Sequence, residues 1–195
     1  MREGKIQAIF GPMFSGKSTE LLRKITRHKI ANKRCIVINY ILDNRYSSDD
    51  VAATHDKRFI SAKKLKTLSE FSDQEALEYD VIGVDEGQFF PDLVETCDRW
   101  ADLGITVIVA ALDCTFEKKS FGNVPMLLAI SENVKKLSAI CKICNAKASF
   151  TKRLTQSKEI NLVGGSETYM PVCRKCYNGK NSVLSVDTMT DINCE

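Results

Sequence analysis

Gly11-Pro12-Met13-Phe14-Ser15-Gly16-Lys17-Ser18 lies between an apolar run, residues 6–10, and a helix-forming stretch, residues 19–31. Its spacing is G-x-x-x-x-G-K-S, that of a phosphate-binding loop. Glycines let the backbone wrap closely round phosphate oxygens. The N–H groups at the start of the following helix, with its partial positive charge, favour an anion there. Lys17 has the reach for β- and γ-phosphates, and the Ser18 hydroxyl is a Mg²⁺ ligand in such loops. The alternative is a glycine-rich turn between strand and helix; the strand-before, helix-after context favours the phosphate cradle.

Outward from this loop the chain alternates. Residues 5–10, 34–40, 81–84 and 105–112 are continuous apolar runs of strand length. Between them, the helix after the loop carries Leu21, Leu22 and Ile25 on one face, and residues 92–103 carry Leu93, Val94, Cys97, Trp100 and Ala101 on another. Strand–helix alternation with uninterrupted apolar strands predicts an α/β fold, a mainly parallel sheet covered on both faces. Residues 72–77 have a helix-start composition, residues 57–60 suit a short strand, and Lys63-Lys64-Leu65-Lys66 reads as a solvated face. After about residue 138 the alternation stops. Two short strand-like stretches, 146–154 and 158–163, suit an antiparallel pair, and residues 164–167 read as a turn. The expected organisation is an α/β nucleotide-binding domain over 1–138, a small cysteine-bearing domain over 139–178, and a poorly ordered tail over 179–195.

The 195 residues have ordinary globular composition, 44% hydrophobic and 27% charged, with net charge +3. The basic residues are dispersed among the acids, so no nucleic-acid-binding stripe is present. No run reaches the length of a membrane span, and Met1-Arg2-Glu3-Gly4 leads straight into a strand without a signal-peptide core. A cytoplasmic protein with no membrane or nucleic-acid partner is the expectation.

Three further groups of residues carry chemistry. Asp85-Glu86 follows the strand at 81–84. An acid ending a strand that neighbours the loop-bearing strand holds Mg²⁺ in many such proteins, which suits Asp85. Glu86, one residue on, is placed to accept a proton from an acceptor hydroxyl. The alternative is that both acids cap the following turn. Phe89 and Phe90, with Phe116 and Phe121 on the next strand-end loop, are either core or an aromatic wall for a planar ligand. Finally, eight cysteines include Cys141-x-x-Cys144 and Cys173-x-x-Cys176. This is the paired spacing of a Cys₄ Zn²⁺ site, closed and therefore structural. The 28 residues between the pairs exceed the usual gap of about 15–20, so the connection makes a long excursion. Two disulfides or four free thiols are the alternatives. Cys35, Cys97 and Cys114 lie in apolar stretches and read as core, and His28 as a solvated helix residue.

Gly-Pro-Met-Phe-Ser-Gly-Lys-Ser, then Asp43-Asn44-Arg45-Tyr46-Ser47-Ser48, Asp85-Glu86-Gly87-Gln88-Phe89-Phe90, Ala110-Ala111-Leu112-Asp113-Cys114-Thr115-Phe116 and the two Cys pairs closely resemble the cytosolic, zinc-containing (type II) thymidine kinases over residues 4 to about 177. The resemblance implies a RecA-like P-loop domain with a small zinc domain, and transfer of the ATP γ-phosphoryl to the 5′-hydroxyl of thymidine, and of deoxyuridine. It makes Glu86 the general base. Asp43, Asn44, Arg45, Asp85, Glu86, Gly87 and Gln88 would join the P-loop round nucleotide and Mg²⁺. The stretch between the Cys pairs would close over thymine as a lasso, with backbone contacts from Ile160, Asn161, Leu162, Val163 and Gly164 and a contact from Tyr169, with Phe116 against the base. Met13 would touch the substrate side of the cleft. Feedback inhibition by dTTP and a homotetramer are further family expectations. Two residues depart from many relatives: Asn44 replaces Thr, and Cys114 replaces Gly, where a positive φ would be strained.

Overall fold

The computed structural model describes residues 3–41, 51–53, 59–155 and 165–179. The elements in chain order are β1 (Lys5–Gly11), α1 (Lys17–Ile30), β2 (Cys35–Tyr40), β3 (Val51–Ala53), β4 (Phe59–Leu65), α2 (Asp73–Ala76), β5 (Val81–Val84), α3 (Leu93–Asp102), β6 (Thr106–Leu112), α4 (Val124–Ile130), β7 (Asn133–Lys136), β8 (Ala139–Ile140), β9 (Lys147–Ala148), β10 (Phe150–Arg153), β11 (Tyr169–Val172) and α5 (Arg174–Asn178).

Among the described residues one seven-stranded sheet has the order β3-β4-β2-β5-β6-β1-β7. All neighbours pair parallel except β3, which runs antiparallel to β4 at one edge. This is the expected α/β architecture. Side-chain alternation divides the core in two. Ile6, Ala8 and Phe10 face one way and meet Trp100, Leu93, Val124 and Leu127. Ile9, Val37, Val81 and Ile108 face the other way and meet Leu21 and Ile25. α1 lies on that second face because Leu21 and Ile25 stand four residues apart on one side of it, with Arg27, His28 and Lys29 in its last turn, where the helix dipole favours cations. His28 is half-buried on that helix. On the opposite face α3 buries Leu93, Thr96, Cys97 and Trp100, a helical repeat. α2 begins with a capping box: the Ser72 hydroxyl accepts from the Glu75 N–H, and the Glu75 carboxylate accepts from the Ser72 N–H.

Several local expectations change. Lys63, Lys64 and Leu65 belong to β4 rather than to a solvated face; Leu65 is buried, and the Lys63 ammonium pairs with Glu75 at 2.9 Å. β7 and α4 are not among the expected elements. Asn-Val-Lys-Lys has no apolar run, and all four side chains are exposed; its lysines suit an edge strand. The stretch 146–154 breaks into two strands. β9 pairs with β8, and β10 pairs antiparallel with β11, Phe150 opposite Val172 and Arg153 opposite Tyr169. The expected partner, 158–163, lies outside the described residues, as do 180–195 of the expected tail. The turn expected at 164–167 is seen at its described residues, where Thr168 N–H donates to Gly165 O.

The C-terminal unit has a small core of its own: Ala139, Cys141, Ala148, Val172 and Cys176, flanked by Phe150 and Tyr177. No helix among the described residues is long and apolar enough to cross a membrane.

Candidate active site

Because β1, β6, β5 and β2 run parallel, their C-terminal ends share one edge of the sheet, where open α/β sheets bind ligands. β1 ends at Gly11 and enters the loop. A Cβ at Gly11 would sit 2.6 Å from the Leu137 carbonyl oxygen and 2.8 Å from Ser15 Oγ, so the close approach of the backbone requires glycine. Gly16 has nothing near its missing Cβ; there the requirement is the backbone itself, φ 79°. Phe14 takes φ 64° at the exposed tip, 49% accessible. α1 then starts without a side-chain cap, leaving its first turn as a site for an anion. Ser18 stands in that turn. Lys17 is buried beneath the loop, its ammonium donating to the Pro12 carbonyl at 2.8 Å.

Contrary to expectation, the strand ending in Asp85-Glu86 does not neighbour β1: β6 lies between them. The acid after that adjacent strand is Asp113, which pairs with Lys136 at 2.6 Å. Asp85 is 2% exposed; its N–H donates to Ile38 O, and its Oδ1 accepts from the Glu86 N–H at 3.0 Å. Glu86 adopts the left-handed conformation, φ 54°, ψ 39°. A non-glycine residue there costs about 1–3 kcal/mol, held only where neighbours dictate it. The neighbour is Gln88, mostly buried. Its amide donates to a Glu86 carboxylate oxygen, and its carbonyl oxygen accepts from Leu112 N–H at 2.9 Å. Gln88 thus ties the Glu86 carboxylate to the end of β6. A Cβ at Gly87 would stand 2.8 Å from Val109 Cγ1, so the turn passes too close to β6 for a side chain.

The phenylalanines divide. Phe90 is core. Phe89 stacks between Tyr40, 5.2 Å away, and Phe121, 5.9 Å away and nearly edge-on. Phe116 is at the tip of the loop after β6, 3.9 Å beneath the Arg153 guanidinium. Arg153 also lies 5.0 Å over the Tyr169 ring and donates to its hydroxyl. Phe116, Arg153 and Tyr169 are therefore one stack joining the large sheet's edge to β10 and β11. A second link is Met13, whose N–H donates to Thr151 Oγ1 at 3.0 Å, so the phosphate loop touches β10 directly. Cys114 is half-buried. It is not among the described residues with positive φ, so the strain expected there does not arise. Burial, then the adjacent Asp113, pushes its thiol up to about 11.

Sequence reasoning missed Thr151, Arg153 and Tyr177, whose hydroxyl donates to Phe116 O at 2.6 Å. A faint signal existed: Thr151 and Arg153 are polar residues two apart on a strand and thus on one face. Both are buried there. Asp43, Asn44, Arg45, Ile160, Asn161, Leu162, Val163 and Gly164 lie outside the described residues.

The four thiols Cys141, Cys144, Cys173 and Cys176 converge, every Sγ within 4.8 Å of the others. Cys144 and Cys173 Sγ are 3.6 Å apart. A disulfide needs about 2.05 Å, whereas sulfurs about 2.3 Å from a tetrahedral Zn²⁺ stand about 3.8 Å from one another. No described cysteine forms a disulfide. The cluster therefore fits a metal better than it fits bridges. The Cys176 N–H, 3.5 Å from Cys173 Sγ, leads the interactions that lower that thiol's pKa. Burial opposes ionisation of Cys141, but the N–H groups of Cys173, Ile143 and Cys144 outweigh it and lower that pKa too. Cys176 goes the other way, pushed up to about 12 by burial; thiolates are the form that binds metal.

Residues 4–177 match the family described as thymidine kinase. The chain is 51% identical over 179 residues to the cytosolic thymidine kinase of Homo sapiens, covering 92% of this chain and 75% of that one. It is 49% identical over 191 residues to that of Cricetulus griseus, covering 98% and 80%. It is 50% identical over 179 residues to the thymidine kinase of Vaccinia virus (strain Ankara), covering 92% and 99%.

Proposed function

The chain belongs to the thymidine kinase family and is a thymidine-phosphorylating enzyme, and from that premise we propose how its cleft divides the work. ATP supplies the γ-phosphoryl, the 5′-hydroxyl of thymidine accepts it, and the Glu86 carboxylate takes the hydroxyl proton. The new bond joins the 5′-oxygen to the γ-phosphorus as the bond to the β-phosphate bridging oxygen breaks, giving dTMP and ADP.

The observation that carries this reading is the convergence at one sheet edge. The phosphate loop, the Asp85-Glu86 turn and the Phe116–Arg153–Tyr169 stack meet there, and Met13 N–H on Thr151 holds the phosphate loop against the stack. Lys17 and the first turn of α1 hold the ATP phosphates. Ser18 and Asp85 are oxygen donors of the kind Mg²⁺ takes, and the bound ion would neutralise phosphate charge. Gln88 aims the Glu86 carboxylate, which spares the reaction the cost of orienting its base. Phe89, Phe121, Phe116 and Tyr169 form the aromatic side of the nucleoside pocket. By the family resemblance, Ile160, Asn161, Leu162, Val163 and Gly164 are assigned to thymidine and Asp43, Asn44 and Arg45 to the nucleotide. Cys141, Cys144, Cys173 and Cys176 would hold Zn²⁺, which would tie the two Cys pairs to one point.

Deoxyuridine is a second substrate, since uracil presents the same edge without the methyl. dTTP, carrying thymine and a triphosphate on one molecule, has groups for both halves of the cleft and acts as a feedback inhibitor. Homotetramer formation and cytoplasmic residence are carried from the family resemblance; the relatives from Homo sapiens and Cricetulus griseus are named as cytosolic.

The test is transfer from γ-labelled ATP across a nucleoside panel. Label is expected on thymidine and deoxyuridine and not on purine deoxynucleosides. ATP turnover that answers to single-stranded DNA but leaves every nucleoside unlabelled would overturn the assignment.

A further inference from the structure

The loop after β6 holds its shape by its own backbone. Thr115 N–H donates to Lys119 O at 2.8 Å, Lys118 N–H donates to Thr115 O at 3.0 Å, and Cys114 bridges to Ser120. Lys118 has φ 61°, the left-handed residue that closes such a turn. A turn this tight moves as one piece, so whatever grips it places Phe116.

The grip comes from α5. The Tyr177 hydroxyl donates to the Phe116 carbonyl at 2.6 Å. Its neighbour Asn178 accepts from the Lys118 ammonium at 3.0 Å, and that ammonium lies 4.2 Å over the Tyr177 ring. Tyr177 is itself fixed from behind. Its ring packs 5.9 Å from Phe150, and its N–H donates to Cys173 O at 2.8 Å. Cys173 caps α5, and Cys176, the residue before Tyr177, is another thiol of the cluster. One peptide bond therefore separates a cluster residue from the side chain that holds the pocket loop.

We propose that Tyr177 is a positioning residue of the nucleoside site. Its hydroxyl latches the turn carrying Phe116 to the Cys₄ knuckle and sets Phe116 in register with Arg153 and Tyr169. The knuckle thereby shapes the pocket from a second side, separately from the stretch between the two Cys pairs. Phe116 is then gripped twice, its ring by Arg153 from β10 and its carbonyl by Tyr177 from α5. The inference rests on Phe116 lining the nucleoside pocket.

Tyr177→Phe removes only the hydroxyl and keeps the ring against Phe150 and Lys118. In the metal-loaded full chain this variant should raise the thymidine KM about fivefold, equivalent to about 1 kcal/mol, the usual worth of one such hydrogen bond. The ATP KM, kcat and bound metal per chain should be unchanged within about twofold, and calorimetric thymidine affinity should fall in step with KM. An unchanged thymidine KM overturns the latch. So does a joint change in both KM values and kcat with loss of metal, which would make Tyr177 a stability residue only. Phe116→Leu, measured beside it, separates the two ideas. If Phe116→Leu raises the thymidine KM and Tyr177→Phe does not, the latch alone fails. If neither variant moves it, the pocket reading of Phe116 falls and the latch falls with it.

Discussion

The glycine-rich loop and the Cys-rich unit touch at one edge of the sheet but are built by opposite means. The loop's site comes from eight consecutive residues. Its glycines are required by a close approach at Gly11 and by the backbone conformation at Gly16, and it stands on buried β1 and α1 with a sheet core on both sides. The side proposed for the nucleoside is assembled from distant pieces: Phe116 from the loop after β6, Thr151 and Arg153 from β10, Tyr169 from β11, Tyr177 from α5. Its own core is five buried residues, two of them cysteines of the cluster. A site written in one segment survives on local geometry. A site gathered from four places depends on whatever holds those places in register, here the thiol cluster and the contacts that cross to the large sheet.

The sharpest way to break this contrast is at the chemistry the two regions share. Glu86→Gln should lower kcat by about 10²–10⁴-fold while thymidine and ATP still bind, as loss of a general base requires. Calorimetric binding beside single-turnover transfer checks it, and near-normal turnover would remove Glu86 from the role. Next in size is the cluster. Cys173→Ser, or chelation of the metal, should raise the thymidine KM on the order of tenfold and reduce bound metal, because metal binding is folding free energy for a core this small. ATP affinity and the helix signal of the large sheet's half should persist; equal loss of both substrates would erase the distinction between the regions.

The smallest effect lies wholly within the first region. Glu20 on α1 holds Arg23 at 2.6 Å and Lys135 of β7 at 2.9 Å. The Arg23 guanidinium, opposed by burial and aided by Lys135, lowers its pKa from 4.5 to about 2. The folded-state value is depressed, so the stabilisation is whole above about pH 4.5 and is lost as pH falls toward 2. With Arg23 and Lys135 half-exposed and screened, Glu20→Gln should cost about 1 kcal/mol at neutral pH. Urea titrations should show that deficit shrinking as the medium is acidified below about pH 4. A deficit independent of pH would mean that packing, not charge, is what Glu20 contributes.

Much of the first region was legible because its signals are local. An apolar run, a glycine-spaced loop and a 3.6-residue stripe each fall within one window. The helix start at residues 72–77 was legible for the same reason, and its capping box is seen only in the structure. β7 was not, since an exposed edge strand of Asn-Val-Lys-Lys has no apolar pattern to read. The stretch 146–154 was misread as one strand because its two short halves pair with different partners, β8 and β11.

The strand–loop–helix unit, the carboxylate pair after β5 and the paired cysteines are written in the residues alone, since each chemistry needs its residues at a fixed short spacing. It took the folded chain to show that β6 separates Asp85 from the strand bearing the glycine-rich loop, that Gln88 holds the Glu86 carboxylate, and that Thr151, Arg153 and Tyr177 reach Met13 and Phe116. Met13 and Thr151 meet over 138 positions, and Phe116 and Tyr177 over 61. No periodicity spans such distances. Those contacts exist because strand order and a knot of thiols bring remote segments to one edge.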